Sequence, residues 1–238
     1  MEDFLKTIFF RPAWYVIVIN PYFIARRGLY KEIKNIAQSH DNESISILDV
    51  GCGARPYQSL FKTKKYFGID VENSGHKDDH KEVDKYFDGK KIPFENNKFD
   101  LVICTQVLEH AEDPEALLLD CSRVLKKDGK LFLTMPLVWN EHEAPYDFRR
   151  FTKYGHEQIL KKTNFLVLEI MPTCGIFGVC GQLLSAFYFE KIARSNNFMR
   201  ILVTLILCFP TQLIFILLDK LFKKSWITLD YIILATKK

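Results

Sequence analysis

Hydrophobic and polar positions along the chain follow a strand–helix–strand rhythm. Short apolar, β-branched runs are typical of strands buried on both faces of a parallel sheet, and they occur at 45–50, 64–70, 83–87, 98–104, 130–135 and 165–171. Helical patterns lie between them, and Asp113 and Pro114 are the N-cap acid and first-turn proline of a helix to Lys126. The segment 227–238 alternates like a last, antiparallel strand. The pattern predicts an α/β fold: a doubly wound, Rossmann-like sheet of seven strands, mostly parallel with the last strand antiparallel.

Two regions lie outside this rhythm. Residues 4–37 are rich in aromatic and basic side chains, and roughly 22–38 should form an amphipathic helix. A cap helix packed on the sheet is the favoured interpretation, with a substrate lid or a lipid-interface surface as the alternatives. The other region is a hydrophobic helical insertion, 175–224, before the last strand.

The insertion contains an uncharged run, Ile201–Leu218, that is just long enough to span a membrane. A single crossing would leave the last strand on the wrong side of the membrane. We therefore expect a helical hairpin or re-entrant pair seated in one leaflet, kinked at Pro210 and paired through 175–189. The basic flanks are Arg200, Lys220, Lys223 and Lys224. A dimer interface or an internal substrate cover is the alternative.

The composition and charge of the chain limit the classes of function that it can have. In 238 residues, 33 Lys and Arg against 29 Asp and Glu give a net charge of +4, too mild to indicate nucleic-acid binding. The six cysteines form no Cys-x-x-Cys pair, so we expect reduced thiols. No signal-peptide pattern is present, and we expect a cytoplasmic protein, peripheral on the cytoplasmic membrane face. The polar loop 73–81 contains two histidines and two aspartates without a diagnostic ligand spacing, and no metal is expected.

The first buried strand ends in a glycine turn, Asp49-Val50-Gly51-Cys52-Gly53. Such a turn lets backbone N–H groups approach a ligand closely, and a first helix is expected directly after it, beginning at Pro56 and continuing through Phe61. Pro56 occupies the third glycine position of a dinucleotide fingerprint, which disfavours a nicotinamide oxidoreductase. Asp70 ends the second strand 17 residues after Gly53, where a carboxylate can accept hydrogen bonds from ribose hydroxyls.

Further motifs make a family resemblance specific. An Asp five residues before Pro93-Phe94, then Phe99-Asp100-x-Val102 and Val107-Leu108-Glu109-His110, resemble the type 11 branch of class I S-adenosylmethionine-dependent methyltransferases. The resemblance places adenine at Asp88 and Gly89, with Asp84 as a second candidate. Arg55 departs from it, because many relatives carry a third glycine there. The cofactor-binding residues that it implies are Asp49, Gly51, Cys52, Gly53, Asp70, Val71, Asp88, Gly89, Thr105 and Gln106.

The loop 139–152 is crowded with functional groups. Its His-x-x-Pro-x-Asp-Phe-x-Arg-x-Thr pattern is similar to loops that border the acceptor site in bacterial type 11 methyltransferases. His110 and His142 are the candidate catalytic bases, although His110 also suits a core or capping role. The predicted substrate-binding residues are Glu143, Tyr146, Asp147, Arg149 and Arg150, and the alternative is an ion-pair network that only holds the loop.

The resemblance implies three regions: an N-terminal cap (1–43), a methyltransferase domain (44–174 with 225–238) and the insertion (175–224). It implies methyl transfer from S-adenosylmethionine, foremost to an oxygen of a small molecule, a lipid or a lipid-linked glycan. A non-catalytic, membrane-associated scaffold protein that binds the cofactor is the alternative. Catalytic turnover with an acceptor separates the two.

Overall fold

The computed structural model of the protein describes residues 8–40, 42–72, 81–193, 196–222 and 226–238. They fold as two compact units. The sheet unit comprises Asn35–Met171 and Tyr231–Lys238, and the helical unit comprises Met1–Lys34 and Pro172–Asp230. Residues 73–80 of the polar loop, for which no metal is expected, lie outside the described residues, as do Lys223 and Lys224.

The sheet has seven strands in the order β3-β2-β1-β4-β5-β7-β6. The strands are β1 (Ile47–Val50), β2 (Tyr66–Asp70), β3 (Lys85–Tyr86), β4 (Phe99–Thr105), β5 (Leu125–Pro136), β6 (Phe165–Pro172) and β7 (Asp230–Lys237). β1 pairs in parallel with both β2 and β4, and one strand of the sheet is antiparallel. All four residues of β1 are buried, as expected for a central strand covered on both faces. The predicted doubly wound sheet is confirmed.

Local capping signals set the helix starts. α1 (Phe23–Ser39) matches the predicted amphipathic helix. α2 (Pro114–Val124) begins after Asp113, whose side chain accepts a 2.9 Å hydrogen bond from the Ala116 N–H. α3 (Lys153–Lys162) begins after Thr152, which accepts from the Gly155 N–H at 3.3 Å. Each cap satisfies one of the free N–H groups of a first helical turn.

The helix predicted directly after the glycine turn was wrong. The described chain between β1 and β2 has a three-residue 3-10 turn, Gln58–Leu60. The Thr63 hydroxyl then donates hydrogen bonds to the carbonyl oxygens of Glu43 (3.1 Å) and Ile45 (2.6 Å), which ties the chain back to the start of β1. Too few residues remain to offset the cost of nucleating an α-helix.

The boundary between α2 and β5 also differs from the prediction. The helix ends at Val124 rather than Lys126, and β5 begins at once with Leu125. Leu125 is fully buried and pairs with Phe99 of β4. Tertiary pairing therefore overrides the local helical pattern, and Asp128 lies within the strand at a left-handed φ of 62°.

The helical unit contains a pair of packed helices. α4 (Ile176–Phe187) is followed by a π segment, Tyr188–Ile192. The second helix runs from Asn197 to Leu221 and consists of α5 (Asn197–Val203), a π segment (Thr204–Cys208) and α6 (Phe209–Leu221). Asp219 accepts 3.0 Å hydrogen bonds from the Gly175 and Gly178 N–H groups, so the two helices run antiparallel. The predicted partner segment therefore packs on the apolar run.

The helix Asn197–Leu221 is long and apolar enough to cross a membrane, with a mean hydropathy of 2.6 in an 18-residue window that is 22% buried. It is the one such helix in the described part of the chain. A core helix of a soluble protein passes the same test by length and composition, but such a helix is mostly buried. The large exposed fraction of Asn197–Leu221 therefore distinguishes it from the core helix of a soluble protein.

The amino-terminal segment is held to the insertion by buried polar groups. The Pro21 carbonyl accepts from Gln182 Nε2 at 3.1 Å and from Ser185 Oγ at 2.7 Å. The Asn20 carbonyl accepts from Gln212 Nε2 at 3.0 Å. Asn20 and these three donor residues are fully buried. The helical unit is thus built from segments far apart in sequence, a pairing that the sequence pattern did not predict.

Candidate active site

The glycine turn after β1 is built from left-handed backbone. Gly51, Gly53 and Arg55 have φ angles of 68°, 50° and 48°. A Cβ on Gly51 would lie 2.3 Å from Val107 Cγ2, so glycine is required there for packing as well as for its φ. Among the described residues, no atom lies within 4 Å of a Cβ placed on Gly53, so they leave this side of the backbone open to a ligand. The positive φ of Arg55 is a conformation that glycine adopts more readily than arginine.

Asp70 is fixed against this turn at the end of β2. Its Oδ2 accepts a 3.0 Å hydrogen bond from the Gly53 N–H, and its Oδ1 accepts from the Val71 N–H at 2.7 Å. Lys81 Nζ lies 3.2 Å from Asp70 Oδ1 and 2.9 Å from the Val71 carbonyl oxygen. The carboxylate is therefore held in place beside the open backbone of Gly53.

Asp49 and Cys52 are buried residues of the glycine turn. Asp49 is buried and accepts a 2.6 Å hydrogen bond from the Tyr66 hydroxyl. Burial raises the pKa of Asp49 to about 7 and the pKa of the Cys52 thiol to about 12, because a charge is disfavoured away from water. Neither residue lines the cavity described below.

Asp84 and Asp88, the two aspartates predicted to bind adenine, have different surroundings in the structure. Asp84 Oδ2 accepts from the Gly68 N–H at 2.8 Å and pairs with Arg55 Nη2 at 2.7 Å, so it holds the turn. Asp88 lines the cavity together with Gly89. Hydrogen bonds from the Lys91 and Lys90 N–H groups lower the pKa of Asp88, which keeps the side chain ionised.

A cavity of about 570 Å³ lies at the carboxyl ends of the parallel strands. It brings together eight of the predicted residues: Gly51, Asp70, Val71, Asp88, Gly89, His110, Glu143 and Tyr146. The sequence pattern missed further lining residues: Glu72, Tyr86, Phe87, Lys90, Val107, Ala111, Glu112 and Leu117. All of these but Leu117 lie within two residues of a predicted position, so the strand ends themselves were the available signal.

Thr105 and Gln106 do not line the cavity. Thr105 pairs with Thr134 in the sheet, and the Gln106 N–H donates to the Thr134 carbonyl at 3.0 Å. Gln106 has a φ of 57°, so the chain turns sharply after β4 and leads into Val107, which does line the cavity.

The loop 139–152 divides into two sets of predicted residues. Asp147 is ion-paired with the two terminal guanidinium nitrogens, Nη1 and Nη2, of Arg150, whose hydrogen bonding lowers the pKa of Asp147 to about 2. Arg149 donates to the carbonyl oxygens of Ala111 and Glu112. Asp147, Arg149 and Arg150 therefore hold the loop in place, whereas Glu143 and Tyr146 reach the cavity.

The two predicted histidines lie together. The rings of His110 and His142 are edge to face, with centroids 4.7 Å apart. His110 lines the cavity and its Nδ1 lies 3.0 Å from the Tyr146 carbonyl oxygen, while His142 does not line it. Burial lowers the pKa of His110 because the imidazolium loses hydration.

Comparison with known proteins relates this site to a protein family. Residues 48–133 match the family model described as a methyltransferase domain, type 11. Residues 48–133 form a type 11 methyltransferase domain. The match covers β2, β3 and β4 and most of β1 and β5. The predicted membership of this branch of the class I, S-adenosylmethionine-dependent methyltransferases is confirmed.

Relatives of this methyltransferase domain match only part of the chain. An uncharacterized protein of Methanocaldococcus jannaschii is 31% identical over 109 residues, which cover 45% of this chain and 48% of that protein. The Ubiquinone biosynthesis O-methyltransferase of Idiomarina loihiensis is 29% identical over 157 residues, covering 55% and 64% of the two chains. The chain thus spans about half to two thirds of the length of these relatives.

A solved structure shows the same fold. An S-adenosylmethionine dependent methyltransferase from Mesorhizobium loti superimposes with a TM-score of 0.54 over 90% of this chain and 100% of that chain, at 11% identity. The cofactor of the methyltransferase domain is S-adenosylmethionine. The observed site suits it, because an immobilised carboxylate at Asp70, the open backbone at Gly53 and the strand-end cavity are what a nucleoside requires.

Proposed function

We propose that this protein transfers the methyl group of S-adenosylmethionine to an oxygen of an acceptor. The observation that carries the proposal is the single cavity in which Gly51 and Asp70, on the glycine-turn side, face a space also lined by His110 and Glu143. A methyl transfer needs a cofactor and an acceptor held in one space with the reacting atoms aligned.

The cofactor side is assigned to the first three strands. Asp70 would accept hydrogen bonds from the ribose hydroxyls, and Asp88 and Gly89 would lie against the adenine. Lys81 now contacts the Asp70 oxygen that a ribose hydroxyl would need, so its side chain would have to give up that contact. When bound, S-adenosylmethionine supplies an electrophilic methyl group that is transferred by direct displacement.

The acceptor side is assigned to His110, Glu143 and Tyr146, the functional groups of the later loops that reach the cavity. His142 stands behind His110 and shapes its surroundings. We place the acceptor oxygen beside His110, because an acceptor must lose its proton to become a good nucleophile and this region holds imidazole and carboxylate groups that can accept a proton.

We also propose that the helical unit attaches the protein to a membrane surface. The residues of Asn197–Leu221 that are buried include three of polar or small type, Thr204, Cys208 and Gln212. The exposed positions carry large apolar side chains: Ile201, Leu202, Leu205, Ile206, Leu213, Ile214, Leu217 and Leu221. A soluble protein has the reverse arrangement, so this surface suits the acyl region of one leaflet.

The sheet topology determines how such an attachment can be made. β6 and β7 are neighbours in one sheet, and the helical unit's insertion lies between them in the chain. Both ends of the insertion must therefore be on the same side of a bilayer, which excludes one simple crossing. Because a protein attached to a membrane meets lipids at high local concentration, we favour an acceptor that is a lipid or is linked to one.

The cofactor assignment is tested by isothermal titration calorimetry of S-adenosylmethionine into the wild type and Asp70→Asn. The substitution removes the charge and keeps one oxygen for the Gly53 N–H, so the turn should survive with the loss of the hydrogen bond from the Val71 N–H. Losing charge-assisted hydrogen bonds to ribose should weaken binding roughly tenfold to hundredfold. The control is Asp128→Asn, at an exposed left-handed position that asparagine tolerates, and it should bind like the wild type.

Equal affinity of the wild type and Asp70→Asn would contradict the ribose assignment. The reaction is tested separately with methyl-labelled cofactor and a lipid extract or small hydroxylated acceptors. Tight binding with no label transferred to any acceptor would support the alternative, a cofactor-binding scaffold protein.

A further inference from the structure

The tautomer of His110 follows from its surroundings. Its Nδ1 lies 3.0 Å from the Tyr146 carbonyl oxygen. A carbonyl oxygen only accepts hydrogen bonds, so Nδ1 carries the proton and, in the neutral ring, Nε2 carries a lone pair. A backbone hydrogen bond of this kind is how proteins orient a histidine for use through its other nitrogen.

The free nitrogen faces carboxylates. His110 Nε2 lies 3.9 Å from Glu109 Oε1 and 3.6 Å from Glu143 Oε1. It is buried and makes no hydrogen bond within the described part of the chain. The Glu109 side chain is 0% exposed and that of Glu143 13% exposed. An imidazole lone pair thus points into a space bounded by two acids.

His142 completes the group. One donor atom from each of Glu109, His110 and His142 lies within 4.8 Å of the others. Ligands bound to one first-row metal at roughly 2.0–2.2 Å are themselves about 3–4.4 Å apart. The separations of His110 Nε2 from the two carboxylates exceed the length of a charge-assisted hydrogen bond, roughly 2.7–2.9 Å. A shared proton would draw one acid closer, whereas a cation between the groups fits the observed spacing.

We propose that Glu109, His110 and His142 bind one divalent first-row cation, with Glu143 beside it. Two imidazoles and a carboxylate are the ligands that Zn²⁺ and Mn²⁺ accept readily, and they are a poor set for Mg²⁺. This proposal departs from the expectation of no metal, which considered only ligand spacing along the sequence: His142 is far from Glu109 in the chain and adjacent to it in the fold.

Three protein ligands leave a coordination position open. The cavity reaches His110 and Glu143, so a molecule in the cavity can take that position. On the proposed function, and resting on it, this molecule is the acceptor, whose hydroxyl oxygen would bind the cation and pass its proton to the Glu143 carboxylate, because both His110 nitrogens are then occupied. The cation site itself does not depend on that role.

The site is tested by titrating Zn²⁺ into full-length protein that has been treated with a chelator and then freed of it. We expect one equivalent to bind and to raise the unfolding temperature. His142→Ala, which alters a half-buried side chain, should weaken binding at least tenfold. The matched control, His40→Ala, removes a histidine outside the group and should bind like the wild type.

Co²⁺ provides a second measurement that does not depend on stability. Bound to this group it should give a visible absorption band that His142→Ala loses and His40→Ala keeps. No saturable binding at one equivalent, or binding that His142→Ala retains, would overturn the proposal.

The role at the acceptor is separated from the site by two further measurements. Metal-free protein should bind S-adenosylmethionine as the metal-loaded protein does, but should transfer label only after Zn²⁺ or Mn²⁺ is restored. Undiminished transfer by metal-free protein would overturn the role. If the protein binds no cofactor at all, the proposed function fails, while the Zn²⁺ titration still decides the cation site.

Discussion

At the scale of single residues, His156 is a titratable side chain enclosed by aromatic rings. Its ring lies edge to face with Phe151 at 5.5 Å and with Tyr231 at 5.9 Å, and the residue is 0% exposed. Neither ring nitrogen has a hydrogen-bond partner in the described structure. Burial lowers the pKa of His156 to about 4, since the imidazolium would lose its hydration.

This environment predicts a pH-dependent stability. Between pH 6.5 and 4 the unfolded chain binds a proton at His156 that the folded chain does not, so the free energy of unfolding falls as the pH falls. A shift of this size costs roughly 3 kcal/mol by pH 4. His156→Leu should remove that part of the loss, as measured by urea unfolding at pH 7 and pH 4.5. The control His40→Ala should keep the wild-type pH dependence, and equal dependence in His156→Leu would contradict the prediction.

At the scale of elements, the turn after β1 depends on one close approach. Gly51 follows β1 directly and packs against Val107, which lies just after the end of β4. β1 and β4 pair in parallel. The glycine is therefore as much a packing requirement between neighbouring strands as a ligand-binding feature. The sequence motif alone suggested the second role but not the first.

A double-mutant cycle separates these effects. Gly51→Ala should destabilise the protein by roughly 2 kcal/mol or more, from left-handed backbone strain and the clash with Val107. Val107→Ala removes the clashing methyl groups, so the double variant should be about 1 kcal/mol more stable than the sum of the single changes predicts. Urea unfolding measures all three, and strict additivity would show that the contact is unimportant.

At the scale of the whole molecule, the helical unit has one strongly apolar surface. Large apolar side chains are exposed along Asn197–Leu221, where the polar Gln212 is fully buried, whereas the sheet unit buries an apolar core around β1, β4 and β5. Exposed Arg200 and Lys220 lie at the two ends of the apolar helix. Attachment to an anionic membrane should therefore combine an apolar and an electrostatic contribution.

Vesicle flotation tests this prediction. The protein should float with vesicles that contain anionic phospholipid, and 0.5 M salt should weaken this attachment without abolishing it, because screening removes only the electrostatic part. Ile206→Glu with Ile214→Glu should release the protein while leaving it folded, since both side chains are exposed. Lys127→Glu on the sheet unit is the control and should float like the wild type. Full-length protein that is soluble and monomeric without detergent or lipid would contradict the attachment.

The sequence by itself determined the features that depend on neighbours along the chain. Buried apolar runs predicted the strands, Asp113 marked a helix start, and the glycine turn with Asp70 predicted the nucleoside-binding edge of the sheet. These signals are local, because periodicity, capping and left-handed backbone are properties of a few consecutive residues. The helix predicted after the glycine turn was wrong, because hydrogen bonds from Thr63 to the carbonyl oxygens of Glu43 and Ile45 tie this part of the chain to the start of β1.

Only the tertiary structure decided which side chains meet. It separated Asp88, in the cavity, from Asp84, which holds the turn. It joined Pro21 to Gln182, and it brought His142 to Glu109 and His110. Strand order and loop closure create these contacts, and both are set by the burial of the whole core rather than by any short stretch of sequence.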